Sequence, residues 1–209
     1  MAGNTRSLRE DQKAMTRQRF LDAGRELFNG QGYTNTSADQ IAAAAGASRA
    51  TFYLHYSGKP ALLAEIFQEQ HIDPLHQLID QLGKVDRTDR SGLAAWIRAY
   101  ANHYSATRAL MRSWMQAESH EGAELRTLSD TVLQRIVDAI ADQVTAAHGN
   151  SSPIPAEESR VRAMVMFAEL ERYCYWVNIR RMDYPEERTL ELIAESWAHL
   201  IALPAPEQP

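Results

Sequence analysis

Phe52 is the natural inward anchor of the segment from Arg49 to about His55, which leaves Arg49, Ala50, Thr51, Tyr53 and His55 to look outward. A guanidinium, a hydroxyl, a phenol and an imidazole gathered on so short a stretch do little for folding. They are well suited to hydrogen-bond phosphate oxygens and the edges of bases. For that chemistry the segment must be a helix with one packed face and one bare face. A second helix must also brace it from behind as it enters a major groove.

The neighbouring residues supply that brace. Ser37 and Gln40 have the spacing of a capping box, Ile41 to Ala45 form a compact apolar turn, and Gly46 falls where a left-handed residue closes a helix. Ser48 caps the next helix, and Ala45 and Ala47 are small enough for the two helices to approach closely. Two short helices joined through a glycine-containing turn are a helix-turn-helix, expected over about residues 37–56. Upstream, Met15, Phe20, Ala23, Leu27 and Phe28 keep a helical rhythm that stops at Gly30 and Gly32. Residues 1–12, with Arg6 and Arg9, are polar and unpatterned and are read as a flexible arm.

These residues resemble the TetR-type transcriptional regulators. The likeness runs through Ala23-Gly24-Arg25-Glu26-Leu27-Phe28, Gly32-Tyr33, Thr36, Ile41-Ala42 and Ala45-Gly46-Ala47-Ser48. It continues through Thr51-Phe52-Tyr53-Leu54-His55-Tyr56 to Lys59 and Leu62, in order and without a gap. Gly24 stands where the family usually has alanine, at a helix-propensity cost of about 1 kcal/mol. The resemblance implies a three-helix head (13–58), a ligand-binding and dimerisation body (59–203) and a homodimer on a palindromic DNA operator. Carried over by position, it makes Tyr53 and His55 a phosphate-contacting pair and Lys59 a phosphate-binding lysine at a helix N-terminus. Thr36 or Ser37 would bond a further phosphate, Ser48 lies at the same surface, and Arg49 and Thr51 would read bases. Tyr56 is expected to pack on the fourth helix.

Charge agrees with this division. Residues 1–59 carry eight Lys/Arg against five Asp/Glu, whereas residues 60–209 carry fourteen against twenty-two. A basic head on an acidic body fits a small polyanion-binding module joined to something with another task. The single cysteine, Cys174, excludes a disulfide-stapled scaffold, and no apolar run approaches the roughly 20 residues of a membrane span. No signal peptide is read at the N-terminus, and a cytoplasmic protein is expected.

Beyond the head the chain reads as helix throughout, an all-α fold of a three-helix head and a six-helix body. A helix opened by Gly58-Lys59-Pro60 is interrupted near Pro74 and ends near Leu82; helices follow at about 92–106, 108–117, 121–148, 157–182 and 186–202. The prolines at 204, 206 and 209 mark a flexible tail. Trp96, Tyr100 and Tyr104 form an aromatic stripe; Met111, Trp114 and Met115 a second apolar cluster; and Met166, Leu170 and Tyr173 share a face of the penultimate helix. Bulk of this flexible or polar-tipped kind exceeds what a simple bundle needs. A pocket for a lipophilic effector is therefore expected among these residues, with Glu169, Asn178 and the tyrosine hydroxyls to orient it. Leu190, Ile193, Trp197, Leu200 and Ile201 form an apolar stripe on the last helix, expected to pair with its copy in an isologous dimer interface.

An enzyme is not expected. His71 and His76 do not share a helix face, and His120 with Glu124 makes at most two metal ligands. There is no glycine-rich phosphate loop, and Cys174 lies among apolar neighbours, so neither a metal nor a cofactor is expected. The reading is a ligand-responsive repressor released from its operator by a small molecule. The alternative is a helical small-molecule carrier whose head no longer binds specific DNA.

Overall fold

Helix formers with a 3.6-residue apolar rhythm dominate the chain, and the fold follows them. The computed structural model describes residues 8–85, 90–121, 123–149 and 153–204, and its regular structure is helical throughout. In chain order these are α1 (Leu8–Gln31), α2 (Ala38–Ala44), α3 (Arg49–His55), α4 (Lys59–Phe67) and α5 (Asp73–Leu82). Then come α6 (Arg90–Ala106), α7 (Arg108–Glu121), α8 (Ala123–His148), α9 (Ala156–Asn178) and α10 (Glu186–Ala202). The all-α class read from the sequence is what the structure has. The N-terminal arm is shorter than expected: residues 8–12 belong to α1, whose first turn carries Glu10 and Asp11 where the helix dipole favours acids. Arg6 and the tail at 205–209 lie outside the described residues.

A π-helical turn, Gln68–Ile72, separates α4 from α5. Pro74 has no N–H to give and its ring crowds the carbonyl one turn back, so the chain relaxes to a wider turn just before it. The interruption expected at Pro74 therefore lies one turn earlier. α9 ends at Asn178 rather than near 182, and Arg181 adopts a left-handed conformation before Pro185 leads into α10.

The chain divides into two compact units, Met1–His71 with Ala109–Arg126, and Ile72–Arg108 with Thr127–Pro209. The first is larger than the expected head, because α4 and α7 join it. Phe20 is its centre, with ring centres 5.4 Å from Phe52, 5.5 Å from His55 and 6.2 Å from Tyr56. Gly24 allows α1 to close on α4: a methyl added there would come within 2.8 Å of Leu62 Cδ2 and 2.9 Å of Ile66 Cδ1. The departure from alanine thus serves packing. Arg17 bridges α1 to Glu65 of α4, and Arg25 bridges it to Glu69 of the π-helical turn that follows. From α7, Trp114 stacks on Phe67 at 4.0 Å, and the Ser113 hydroxyl donates to the Phe28 carbonyl at 2.8 Å. Gln116 Oε1 accepts from the backbone N–H groups of Tyr33 and Thr34, at 2.9 and 3.3 Å.

The second unit is built on α6, α9 and α10, with α5 beside α6. Trp197, Trp96, Tyr100 and Phe167 interlock in its core, and the Trp197 indole donates to the Met166 carbonyl at 2.9 Å. Buried Arg162 pairs with Glu158 and donates to the carbonyls of Leu200, Leu203 and Pro204, satisfying the C-terminal end of α10. Pro204 is therefore held and is not part of a loose tail.

Candidate nucleic-acid interface

The turn between α2 and α3 is closed by the chain's own hydrogen bonds. The Ser37 hydroxyl accepts from Gln40 N while the Gln40 side chain accepts from Ser37 N, completing the capping box. Gly46 takes φ +64°, where a side chain would be strained, and the amides of Gly46 and Ala47 return to the carbonyls of Ala43 and Ala42. Ser48 then caps α3 by accepting from Thr51 N at 3.1 Å. Phe52 is wholly buried, as its anchoring role requires.

On the outer face Ser48, Arg49, Ala50 and Tyr53 are exposed and Thr51 and His55 are half-buried. Arg49 is held in place, bridged to Asp39 of α2 at 2.7 Å and poised 5.5 Å from the Tyr53 ring centre. The Thr51 hydroxyl pairs with that of Ser48 at 2.8 Å. Tyr56 is buried against Phe20 and Phe52, as expected of a core residue.

Two assigned phosphate contacts, Thr36 and Lys59, are engaged within the chain. Thr36 is 2% exposed and its hydroxyl donates to the Gly32 carbonyl at 2.7 Å, so it closes the α1–α2 turn and has no free hydroxyl to offer; Ser37 remains at the surface. The Lys59 ammonium donates to the carbonyls of Tyr33 and Thr36, both at 3.0 Å, and lies 3.9 Å from the Tyr33 ring centre. It binds the same turn from the other side. His55 leans on Phe20, and its Nδ1 is buried with no hydrogen-bond partner among the described residues.

Burial lowers the His55 pKa, and the nearby cations Lys13 and Arg17 lower it further. A histidine whose folded value lies below its ordinary 6.5 leaves stability intact above that pH. Stability is lost as the pH falls from 6.5 through the folded value, because the unfolded chain takes up the proton first. Thermal melts between pH 8 and 5 are expected to show this decline, and His55→Asn to flatten it; an unchanged slope in the variant would remove His55 as its source.

The expected effector residues do not form one site. Met111, Trp114 and Met115 belong to the first unit, where Trp114 stacks on Phe67. Trp96, Tyr100, Tyr104, Met166, Leu170 and Tyr173 are buried in the second unit; all but Tyr173, which together with Glu169 lines an open groove beside α9 and α10, are core as they stand. The Trp96 indole donates to the Leu78 carbonyl, Tyr100 meets Phe167 edge-on, and the cavity that Met166 lines with Trp197 has about 20 Å³. That is room for one water. Glu169 is exposed and accepts from Ser196, so it does not face this cluster. The carboxylate that acts on it is Glu171, whose own pKa burial raises and whose charge helps hold the phenols of Tyr100 and Tyr104 un-ionised. Sequence reasoning missed Glu171, although it follows Phe167 by four residues and so falls on the same face of α9. Asn178 is spent on the Cys174 carbonyl at 3.0 Å. Burial pushes the Cys174 thiol up to about 12, which leaves it inert.

The stripe assigned to the dimer interface is also core. Leu190, Ile193, Trp197 and Ile201 are buried within their own chain and Leu200 is half-buried, because this face of α10 packs on α6 and α9. The apolar surface that α9 and α10 leave open comprises Met164, Val165, Trp176, Tyr184 and Leu192. It lines a groove of about 700 Å³, with Trp176 and Tyr184 stacked at 6.4 Å. Among the described residues no three His, Cys, Asp or Glu side chains gather to hold a metal ion, and no helix is long and apolar enough to cross a membrane.

Residues 20–66, from the middle of α1 into the last turn of α4, match the family model of bacterial regulatory proteins of the tetR family. The chain is 24% identical over 193 residues to the HTH-type transcriptional activator FasR of Mycolicibacterium smegmatis, covering 90% of this chain and 84% of FasR. Its fold is similar to the crystal structure of NalD, the secondary repressor of the MexAB-OprM multidrug efflux pump in Pseudomonas aeruginosa. That likeness has a TM-score of 0.66 at 20% identity, over 90% of this chain and 95% of NalD. It is also similar to SmeT in a complex with triclosan, with a TM-score of 0.65 at 19% identity, over 93% and 98% of the two chains. FasR and NalD are regulators of transcription, not enzymes.

Proposed function

We propose that this chain, a TetR-type regulator, is a repressor that binds a palindromic operator as a homodimer and is released by a lipophilic small molecule. The observation that carries the reading is α3: a capped, inward-anchored helix that turns Arg49, Tyr53 and the Ser48–Thr51 pair outward beside Ser37. Two such helices must reach successive major grooves about 34–36 Å apart, which calls for a dimer. Arg49 and Thr51 read base edges, while Tyr53 and Ser37 bond phosphates. Leaving the Asp39 carboxylate for guanine keeps a charge-assisted partner for Arg49 throughout.

The second copy packs on the open face of α9 and α10. Five large apolar side chains clustered on α9, α10 and the segment between them exceed the scattered exposure usual on a monomer. Trp176→Glu is expected to yield monomers at micromolar concentration by light scattering with little change in melting temperature, since Trp176 is 43% exposed. A dimer that survives this change would move the interface elsewhere.

The effector enters the second unit between the Tyr100–Tyr104 stripe and α9. The SmeT–triclosan complex is the precedent for a small molecule in a like fold. Because Tyr100 and Tyr104 are buried, with Tyr100 edge-on to Phe167, the effector must open the core that it enters. To lower operator affinity 100-fold it needs about 2.7 kcal/mol of preference for the released state. The test is a selection of genomic fragments by the purified protein at physiological salt, with excess random competitor. A recovered short palindrome is expected; binding that is purely salt-dependent with no preferred duplex would overturn the reading.

A further inference from the structure

The most outward point of α3 is not polar. At 100° per residue, the position directly opposite buried Phe52 falls between Ala50 and Leu54, each within about 20° of it. These two residues are one turn apart and both exposed, Leu54 at 81%. Arg49 and Tyr53 stand on one flank of this ridge, and Thr51 and His55 on the other. The flanks are committed: Arg49 is bridged to Asp39, and the Thr51 hydroxyl is paired with Ser48. Leu54 makes none of the ring or polar contacts that steady its neighbours. A single exposed leucine on an ordinary surface needs no explanation. Here it crowns the helix whose tip goes deepest into the groove, where the floor is lined with hydrogen-bonding base edges. An apolar side chain there leaves donors and acceptors without partners unless it meets the one apolar group on that floor, the C5-methyl of thymine.

We propose that Leu54, supported by Ala50, is a specificity-determining residue that reads a thymine methyl near the centre of each half-site. This rests on the reading of α3 as the groove-entering helix. It divides the work of recognition: Arg49 reads from the flank by hydrogen bonds, while the apex reads a methyl by burial. Because Leu54 is so exposed, its replacement leaves the fold intact, which a thermal melt of each variant verifies.

The experiment uses the full-length dimer and the duplex recovered by selection, with each thymine of the half-site replaced in turn by deoxyuridine. That exchange removes the methyl and keeps every hydrogen-bonding group. Wild type is expected to lose about fourfold in affinity for each half-site at one thymine position, the scale of one buried methyl group. Leu54→Ala is expected to bind the thymine duplex about as weakly as wild type binds the deoxyuridine duplex, with no further loss on the exchange. Leu54→Met should retain most of the discrimination. Indifference of wild type to every exchange, or a half-site without thymine at its centre, would overturn the assignment while leaving specific DNA binding in place. A penalty that persists in Leu54→Ala would give the methyl to another residue. Failure to recover any preferred duplex would remove both this assignment and the reading beneath it.

Discussion

Replacing Trp197 by alanine is expected to lower the stability of the second unit by about 3–5 kcal/mol, the range for deleting a buried large aromatic. Trp197 is wholly buried, its indole ring centre lies 5.7 Å from that of Trp96, and its N–H is spent on the Met166 carbonyl. Truncation removes the ring, leaves that carbonyl without its side-chain donor and enlarges a void that already exists beside Met166. A residue of the dimer interface would behave differently, because its loss would be felt through association. The measurement is chemical denaturation of Trp197→Ala in the monomeric Trp176→Glu background. A core residue costs the same there; a cost that vanishes once chains are separated would return Trp197 to the interface.

Lys59→Ala is expected to cost about 2–4 kcal/mol of first-unit stability, from two charge-assisted hydrogen bonds and a cation–π contact. Both carbonyls that Lys59 binds belong to the turn leading into α2, so their loss loosens the brace behind α3. Operator affinity falls as a consequence, through position rather than through a lost phosphate contact. The two roles are separable. A lysine that only touched phosphate would leave the melting temperature of the free protein unchanged and reduce the salt slope of binding by about one. A lysine that holds the turn lowers the melting temperature before any DNA is added. Lys59→Arg, which keeps charge but not the compact ammonium, is expected to lie between.

The sequence alone determined a good deal. Local rules need no knowledge of the rest of the molecule: Ser37 with Gln40 makes its capping box, Gly46 takes the left-handed turn, Ser48 caps α3 and Phe52 turns inward. Each is set by residues within five positions, where spacing and backbone preference decide. The helix-turn-helix was legible for that reason, and so was the all-α class, which rests on a periodicity repeated along the chain. The inert character of Cys174 followed in the same way from its apolar neighbours.

Tertiary structure decided which groups are already engaged and which face meets the chain's own core. The types of Thr36 and Lys59 suit phosphate, but carbonyls 23 and 26 residues before Lys59 claim its ammonium, and Gly32 claims the Thr36 hydroxyl. Periodicity found the apolar stripe through Leu190 and Trp197 correctly, yet a stripe that packs within one chain and a stripe that packs between two chains obey the same 3.6-residue rule. Only the positions of α6 and α9 show that this stripe is inside and that Trp176 and Leu192 are outside. The effector residues were scattered for a like reason: aromatic bulk marks burial, and burial on separate helices does not place them in one unit. Short-range bonding is written in spacing; the partner a side chain meets across the fold is settled when distant segments compete for it.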